Sequence, residues 1–312
     1  MSAALAAFSE VPIVEPQLGG NPTGIAPFYF GPNAFPIPDM LDGRTQPMMR
    51  FELATDGYLG REKDWTADLF ARLSVPLYTD RVNLTVWMPV YEWYGITPQR
   101  QKTTRIQDPD SLGTLRGSGA GDVYVTTDIQ IWKATTWVPD IAIRAGLKTA
   151  SGGQFGRARH YDCPGYFFDV SAGKSLYFGQ KHKTIGRRKR YFPFADSRDS
   201  SIELRLSGDL GFLCWQTDNG RQNDALLYGL QLFAKYEWIS LRCTWSGYMG
   251  WENHGDRPMS IKALLSGHIQ GFEPYVQYQY GIKDYPFHHV RIGLVYNFDL
   301  WGTVKQKRSG EI

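Results

Sequence analysis

The chain lacks any apolar run of about 18 residues, so it encodes no helix of the kind that crosses a bilayer. Its mean hydropathy of −0.36 agrees. Only three cysteines occur, Cys163, Cys214 and Cys243, which is no disulfide framework. Charge is nearly balanced at +3, so neither nucleic-acid binding nor charge-driven disorder is expected. The six histidines stand in no zinc spacing and no calcium loop is present, so no metal and no cofactor are expected. His288 and His289 are adjacent, and in a strand they would face opposite ways. There is no G-x-S-x-G; His254 and Ser260 come nearest to a nucleophile and base, and they share no strand. An enzyme is therefore not expected.

None of these absences excludes a membrane β-barrel, in which every second residue of a strand can be polar. Strict alternation is what the chain has in abundance. In "HVRIGLVYNFDLW" the residues Val290, Ile292, Leu294, Tyr296, Phe298 and Leu300 share one parity, while Arg291, Gly293, Val295, Asn297 and Asp299 share the other. Successive side chains of a strand point to opposite faces, so this is a strand with one oily and one polar face. The pattern recurs in "FEPYVQYQYGIK", "IELRLSGDLGFLCW", "LLYGLQLFAKYEW", "ADLFARLSVPL", "VNLTVWMPV", "DVYVTTDIQIW", "PDIAIRAGLK", "ISLRCTWSGYMGW" and "SIKALLSGHIQG", and more weakly in "RFELATDGY" and "YFFDVSAGKSLYF". In the last of these Lys174 falls on the oily parity. About twelve strands of roughly ten or more residues result, each long enough for a tilted crossing.

Tight junctions at 78–81, 133–137, 237–240 and 269–273 alternate with more polar or longer ones at 61–65, 96–120, 151–164, 217–223, 253–257 and 284–288. Short turns on one side and longer loops on the other are the layout of an up-and-down barrel in a bacterial outer membrane. Both termini then lie on the short-turn, periplasmic side. Segment 179–200 breaks the rule, being long on that same side. Trp137, Tyr236, Trp238, Phe298 and Trp301 gather near one set of strand ends, and Trp65, Trp93, Tyr94 and Trp251 near the other. Two such belts mark the two membrane–water boundaries. The expected fold is thus all-β: a transmembrane up-and-down antiparallel barrel over residues 48–302, with a periplasmic tail at 303–312.

Residues 1–47 do not fit the barrel. They are rich in Pro and Gly and have no periodicity; proline lacks the N–H that a ladder needs. Phe28, Tyr29, Phe30, Phe35 and Met40 nevertheless call for packing, so this arm is expected to plug the lumen, line the periplasmic rim or hold a partner. Its first residues, "MSAALAAFSEV", read either as the tail of a signal peptide or as an ordinary N-terminus.

The polar parity carries acids and bases together. Asp128, Arg144, Lys148, Asp169, Arg205, Asp209, Lys235, Arg242 and Arg291 are the candidates to line the lumen. Charges in a narrow interior must pair or be hydrated. They can form a salt-bridge network that fills the barrel, or a selectivity lining for a polar or ionic solute. In the Gly-rich loop after "GLKTASG", Arg157, Arg159 and His160 are candidates for an anion or a lipopolysaccharide phosphate, or for holding the loop over the barrel mouth. Cys214 and Cys243 fall on the oily parity of strands that are not neighbours and are expected to be free thiols.

With "GPNAFPIPD" in the arm, "GDVYVTTDIQ" and "PDIAIRAGLKTASG" in a middle hairpin, and "CWQTDNGRQNDALLYGL" further on, the chain resembles outer-membrane β-barrel proteins of the Bacteroidota type. The strand ending "GLKTASG" is also similar to the G-L-K-x-P-T-G strands of barrels associated with uptake of aromatic compounds, with Ala150 and Ser151 in place of Pro and Thr. The resemblance implies an integral outer-membrane protein in contact with lipid and lipopolysaccharide. Two functions stay open: a restricted-lumen channel or binding protein for a small solute, and a non-conducting subunit of a larger outer-membrane assembly.

Overall fold

The computed structural model describes residues 31–77, 80–99, 116–152, 164–179, 202–218, 221–251 and 255–298. The expected signal remnant, the tail 303–312, the basic segment 180–200, Cys163, and the loop residues Arg157, Arg159 and His160 lie outside them. Thirteen strands form one antiparallel sheet: β1 (Met49–Gly60), β2 (Trp65–Pro76), β3 (Val82–Gly95), β4 (Arg116–Gly119), β5 (Tyr124–Trp132), β6 (Asp140–Lys148), β7 (Gly165–Phe178), β8 (Ile202–Asp218), β9 (Arg221–Tyr236), β10 (Ile239–Gly250), β11 (Met259–Gly267), β12 (Phe272–Lys283) and β13 (Phe287–Phe298). β1 pairs with β13 along its full length, so the sheet closes on itself and leaves no edge.

The barrel has twelve staves, because β4 and β5 are two parts of one. Both pair with β3 in a single continuous register, Trp87 opposite Tyr124 and Glu92 opposite Gly119. The interruption lies beside Pro89, which cannot donate to a ladder. There the β2–β3 register also shifts, and Gly121 N–H donates to the Pro89 carbonyl at 2.9 Å.

Outward and inward faces follow the sequence alternation. In β8, Leu206 is 63% exposed while Arg205 beside it is 1% exposed. The outer wall is a band of Leu, Ile, Val and aromatic side chains; the inner wall is mostly Asp, Glu, Arg, Gln, Ser and Thr. Oil outside and charge inside is the inverse of a soluble barrel, and it places the closed sheet in a membrane. Closed antiparallel barrels of even stave number are the outer-membrane class. Replacing outward Leu230 by Arg is expected to cost about 2–4 kcal/mol if it sits near the bilayer midplane. Its inward neighbour Gln231, held by Ser207 and Thr244, should cost about 1 kcal/mol on change to Ala. Unfolding titrations in lipid check this, and equal costs on the two parities would refute the inside–outside assignment.

Several details differ from the sequence expectation. Tyr94, read as a belt residue, faces inward and is buried, while Trp65, Trp93 and Trp251 at that end and Trp137 and Trp238 at the other are exposed as expected. Three of the connections read as more polar or longer, 61–65, 217–223 and 284–288, leave only 61–64, 219–220 and 284–286 between strands. Loops 96–115 and 149–164 carry the length asymmetry, and their end is called here the loop end. The opposite, terminal end holds the start of β1, the end of β13 and the turns at 77–81, 133–139, 237–238 and 268–271. The long connection 179–201 also starts and ends there, so the exception stands. Lys174, a cation on the oily face, reaches the backbone carbonyls of Thr135, Thr136 and Val138 in the 133–139 turn. A long stem along apolar surface with its ammonium at the boundary is ordinary snorkelling. In the same turn region Lys133 and Asp80 pair at 2.5 Å, and that hydrogen bond holds the Asp80 carboxyl below its ordinary range.

Candidate functional site

The arm runs through the lumen. Near the loop end Asn33 Nδ2 donates to Asp68 at 2.7 Å and to Glu92 at 2.6 Å. Ala34 and Phe35 lie buried among Tyr124, Phe167, Leu213, Trp215, Leu227 and Tyr248, and the Tyr248 hydroxyl donates to the Phe35 carbonyl at 3.1 Å. Trp87 stacks on Tyr124 at 3.7 Å. These side chains are inward residues on strands where sequence parity calls for polar ones. The reason is the arm: an apolar arm residue makes apolar inward residues favourable.

Midway, Asp39 accepts from Arg72 of β2 at 2.6 Å and from Lys262 of β11 at 2.5 Å, two strands separated by β1, β13 and β12. Met40 packs against Gly229, where a Cβ would stand 2.9 Å from its sulfur. Toward the terminal end Arg205 donates to the Asp42 carbonyl at 2.7 Å and to Asp140 at 2.9 Å. Arg44 pairs with Asp42 at 2.9 Å and Glu203 at 3.1 Å. Gly43 has φ +85°, and a Cβ there would lie 2.8 Å from the Asp140 carbonyl oxygen, so position and backbone both require glycine. Gln46 and Asn83 exchange two hydrogen bonds just before β1 begins. Proline at 32, 36, 38 and 47 suits such a segment, whose backbone is bonded to the wall rather than to a ladder.

What the arm leaves open is a cavity of about 670 Å³. Among the described residues its lining has eight lysines and arginines (Arg44, Arg50, Arg72, Arg144, Lys235, Arg242, Lys262, Arg291) and seven carboxylates (Asp39, Asp42, Glu52, Asp128, Glu203, Glu237, Glu273). The cavity reaches the terminal end at Arg50, Glu237 and His268, whereas Phe35, Trp215 and Tyr248 of the loop-end cluster do not line it. Among the described residues it is a vestibule that meets the loop-end cluster at Phe167.

The nine lumen candidates divide accordingly. Asp128, Arg144, Lys235, Arg242 and Arg291 line the cavity. Lys148, Asp169, Arg205 and Asp209 are inside the barrel but outside the cavity lining, locked in pairs: Lys148 with Asp122 at 2.8 Å, Asp169 with Arg144 at 2.7 Å, Arg205 with Asp140, and Asp209 with the Leu41 N–H. Arg291 binds Asp56 through two hydrogen bonds of 2.5 and 2.7 Å, and His289 meets the same carboxyl at 2.6 Å. His288, on the other face, contacts Tyr278, so the two histidines do point apart. Ser260 is buried and accepts from Gln279 at 2.9 Å. Cys214 and Cys243 are free, the first on the outward parity but covered.

Sequence reasoning missed Arg50, which shares parity with Glu52 and pairs with Glu273 at 2.9 Å. It is the first residue of the quoted "RFELATDGY", and the alternation of that strand assigns it inward. Sequence reasoning also missed Asp39, Asp42 and Arg44, which no periodicity could point to.

No family model matches the chain, and no curated protein matches it in sequence. Solved structures similar to it include the KdgM porin, at 10% identity over 79% of this chain and 99% of that one, with a TM-score of 0.43. The NanC porin stands at 10% identity, 80% and 100% coverage and a TM-score of 0.44. The transport unit of the autotransporter AIDA-I from Escherichia coli stands at 9% identity, 96% and 98% coverage and a TM-score of 0.46. Likenesses this distant leave the solute to the residues of the lumen.

Proposed function

We propose that the protein is a restricted-lumen channel or binding protein for a small solute, held closed by its own N-terminal arm. The observation that carries this reading is the pairing of a charged vestibule with an aromatic seal around Phe35. A vestibule of about 670 Å³ lies within the range of small-molecule sites, roughly 300–1,000 Å³. Twelve staves fall between the roughly eight that side chains fill unaided and the roughly sixteen that leave an aqueous pore. In that interval, the arm decides whether the lumen is open.

The seal also favours a second reading, in which the barrel conducts nothing and serves as a subunit of a larger assembly. The experiment that separates them is Phe35→Ser with the arm otherwise intact, in planar bilayers. A closed channel gains current, because water enters where the ring stood. A folded Phe35→Ser barrel with the wild-type current removes the seal from the mechanism and leaves the second reading.

A further inference from the structure

The inner wall pairs its cations with care, and Arg242 is the departure. Among the described residues, the other five arginines of the cavity each have a carboxylate within ion-pair distance: Arg44, Arg50, Arg72, Arg144 and Arg291. Arg242 has none, and its Nε is buried without a hydrogen-bond partner. The strand register explains why. Directly opposite Arg242 stand Phe233 on β9 and Leu264 on β11, so neither cross-strand neighbour offers an acceptor. The guanidinium instead lies 5.7 Å from the Phe233 ring centre. The part-buried guanidinium therefore faces the cavity with no carboxylate in direct contact, and among the described residues the cavity lining carries one more lysine and arginine than carboxylates. Apolar surface surrounds the same space: Phe233, Leu264, Tyr275 and Val295 line it too.

We infer that Arg242 anchors the carboxylate of a small organic anion whose apolar body lies against Phe233 and Leu264. The planar guanidinium presents two parallel N–H donors to such a carboxylate, which a lysine cannot do. The inference rests on the solute reading above and names the solute's class.

The test is equilibrium binding of benzoate to the purified full-length barrel in detergent, with benzyl alcohol as the uncharged analogue. Benzoate is expected to bind the wild type and benzyl alcohol to bind at least tenfold more weakly. Arg242→Gln should lose at least tenfold in benzoate affinity with benzyl alcohol unchanged, and Arg242→Lys should recover only part. Because Arg242 has no partner to strand, its replacement should leave the heat-modifiable, folded form intact, which gel mobility verifies. A folded wild type that does not bind benzoate, or a folded Arg242→Gln that binds it equally, overturns the inference. Phosphate bound as tightly as benzoate would also overturn it, by removing the apolar half of the site. Binding is read without any current, so its failure is distinct from failure of the channel reading.

Discussion

Deleting residues 1–45 is expected to raise single-channel conductance at least about tenfold while the barrel stays folded, because the arm is what fills the lumen. The strand ladder does not depend on the arm: β1 starts at Met49 and closes on β13 through its own backbone. What the deletion strips are partners of wall side chains: Asp39 from Arg72 and Lys262, the Asp42 carbonyl from Arg205, and the Asn33 amide from Asp68 and Glu92. Water entering the emptied lumen solvates those groups, so their loss is much less costly than it would be in a dry core. The aromatic cluster at the loop end loses Phe35, and with it the seal. Planar-bilayer recording together with heat-modifiable mobility checks both halves of the expectation. A folded truncated barrel that still passes no current would mean that the wall side chains alone close it, and the reading as a channel would fail in favour of an accessory subunit. Co-purification of a partner with the intact chain, and its release on truncation, is what that alternative requires.

How far the sequence shows all this depends on which physical rule wrote each part. The staves are legible because a lipid exterior and a wet interior impose a period of two on every strand; Leu206 and Arg205, or Val290 and Arg291, could be assigned to opposite faces by counting. The same rule finds Lys174 on the wrong face, though not the three carbonyls that make its place tolerable. Turn lengths were less legible, since polar residues near strand ends, as in 217–223, can belong to strands that extend past the membrane. Inward parity selected residues that do face the interior, yet it could not separate Arg144 and Arg242, which line a cavity, from Lys148 and Arg205, which are sealed. That division is made by the arm. An irregular, proline-containing segment has no period to read, and its hydrogen-bonding partners on the wall are 33 to 223 residues away in sequence. Tyr94, Trp215 and Tyr248 are inward aromatics near strand ends, where an aromatic residue can serve the membrane boundary outside or pack inside; Trp215 and Tyr248 pack on the arm, whereas Tyr94 packs with Ile96.

Arg205→Leu is expected to destabilise the folded barrel by about 3 kcal/mol, at the low end of the range for breaking a buried ion pair. Arg205 is 1% exposed and serves three partners at once: Asp140 at 2.9 Å, the Ser175 hydroxyl at 3.0 Å and the Asp42 carbonyl at 2.7 Å. Leucine matches much of its volume but leaves Asp140 without its cation. The low end of the range applies because Asp140 keeps hydrogen bonds from the Gln130 amide at 3.0 Å and the Ala134 N–H at 2.8 Å. The second effect is on the arm. Arg205 joins the β8 wall to Asp42 just where Gly43 passes within contact of the Asp140 carbonyl, so the substitution should loosen the arm's terminal half as well as the wall. The two effects separate in a cycle with the truncated barrel. If Arg205 holds the arm, its replacement costs less after residues 1–45 are removed, by about 1–2 kcal/mol, which is the coupling expected of groups in direct contact. Reversible denaturant unfolding in lipid supplies all four free energies. A cost below about 1 kcal/mol in the intact chain would contradict the buried pair, whose loss should leave an uncompensated charge. Equal costs in the two backgrounds would instead show that Asp42 and Arg205 touch without coupling, and that the arm is held by its other contacts, Asn33, Phe35, Asp39 and Arg44.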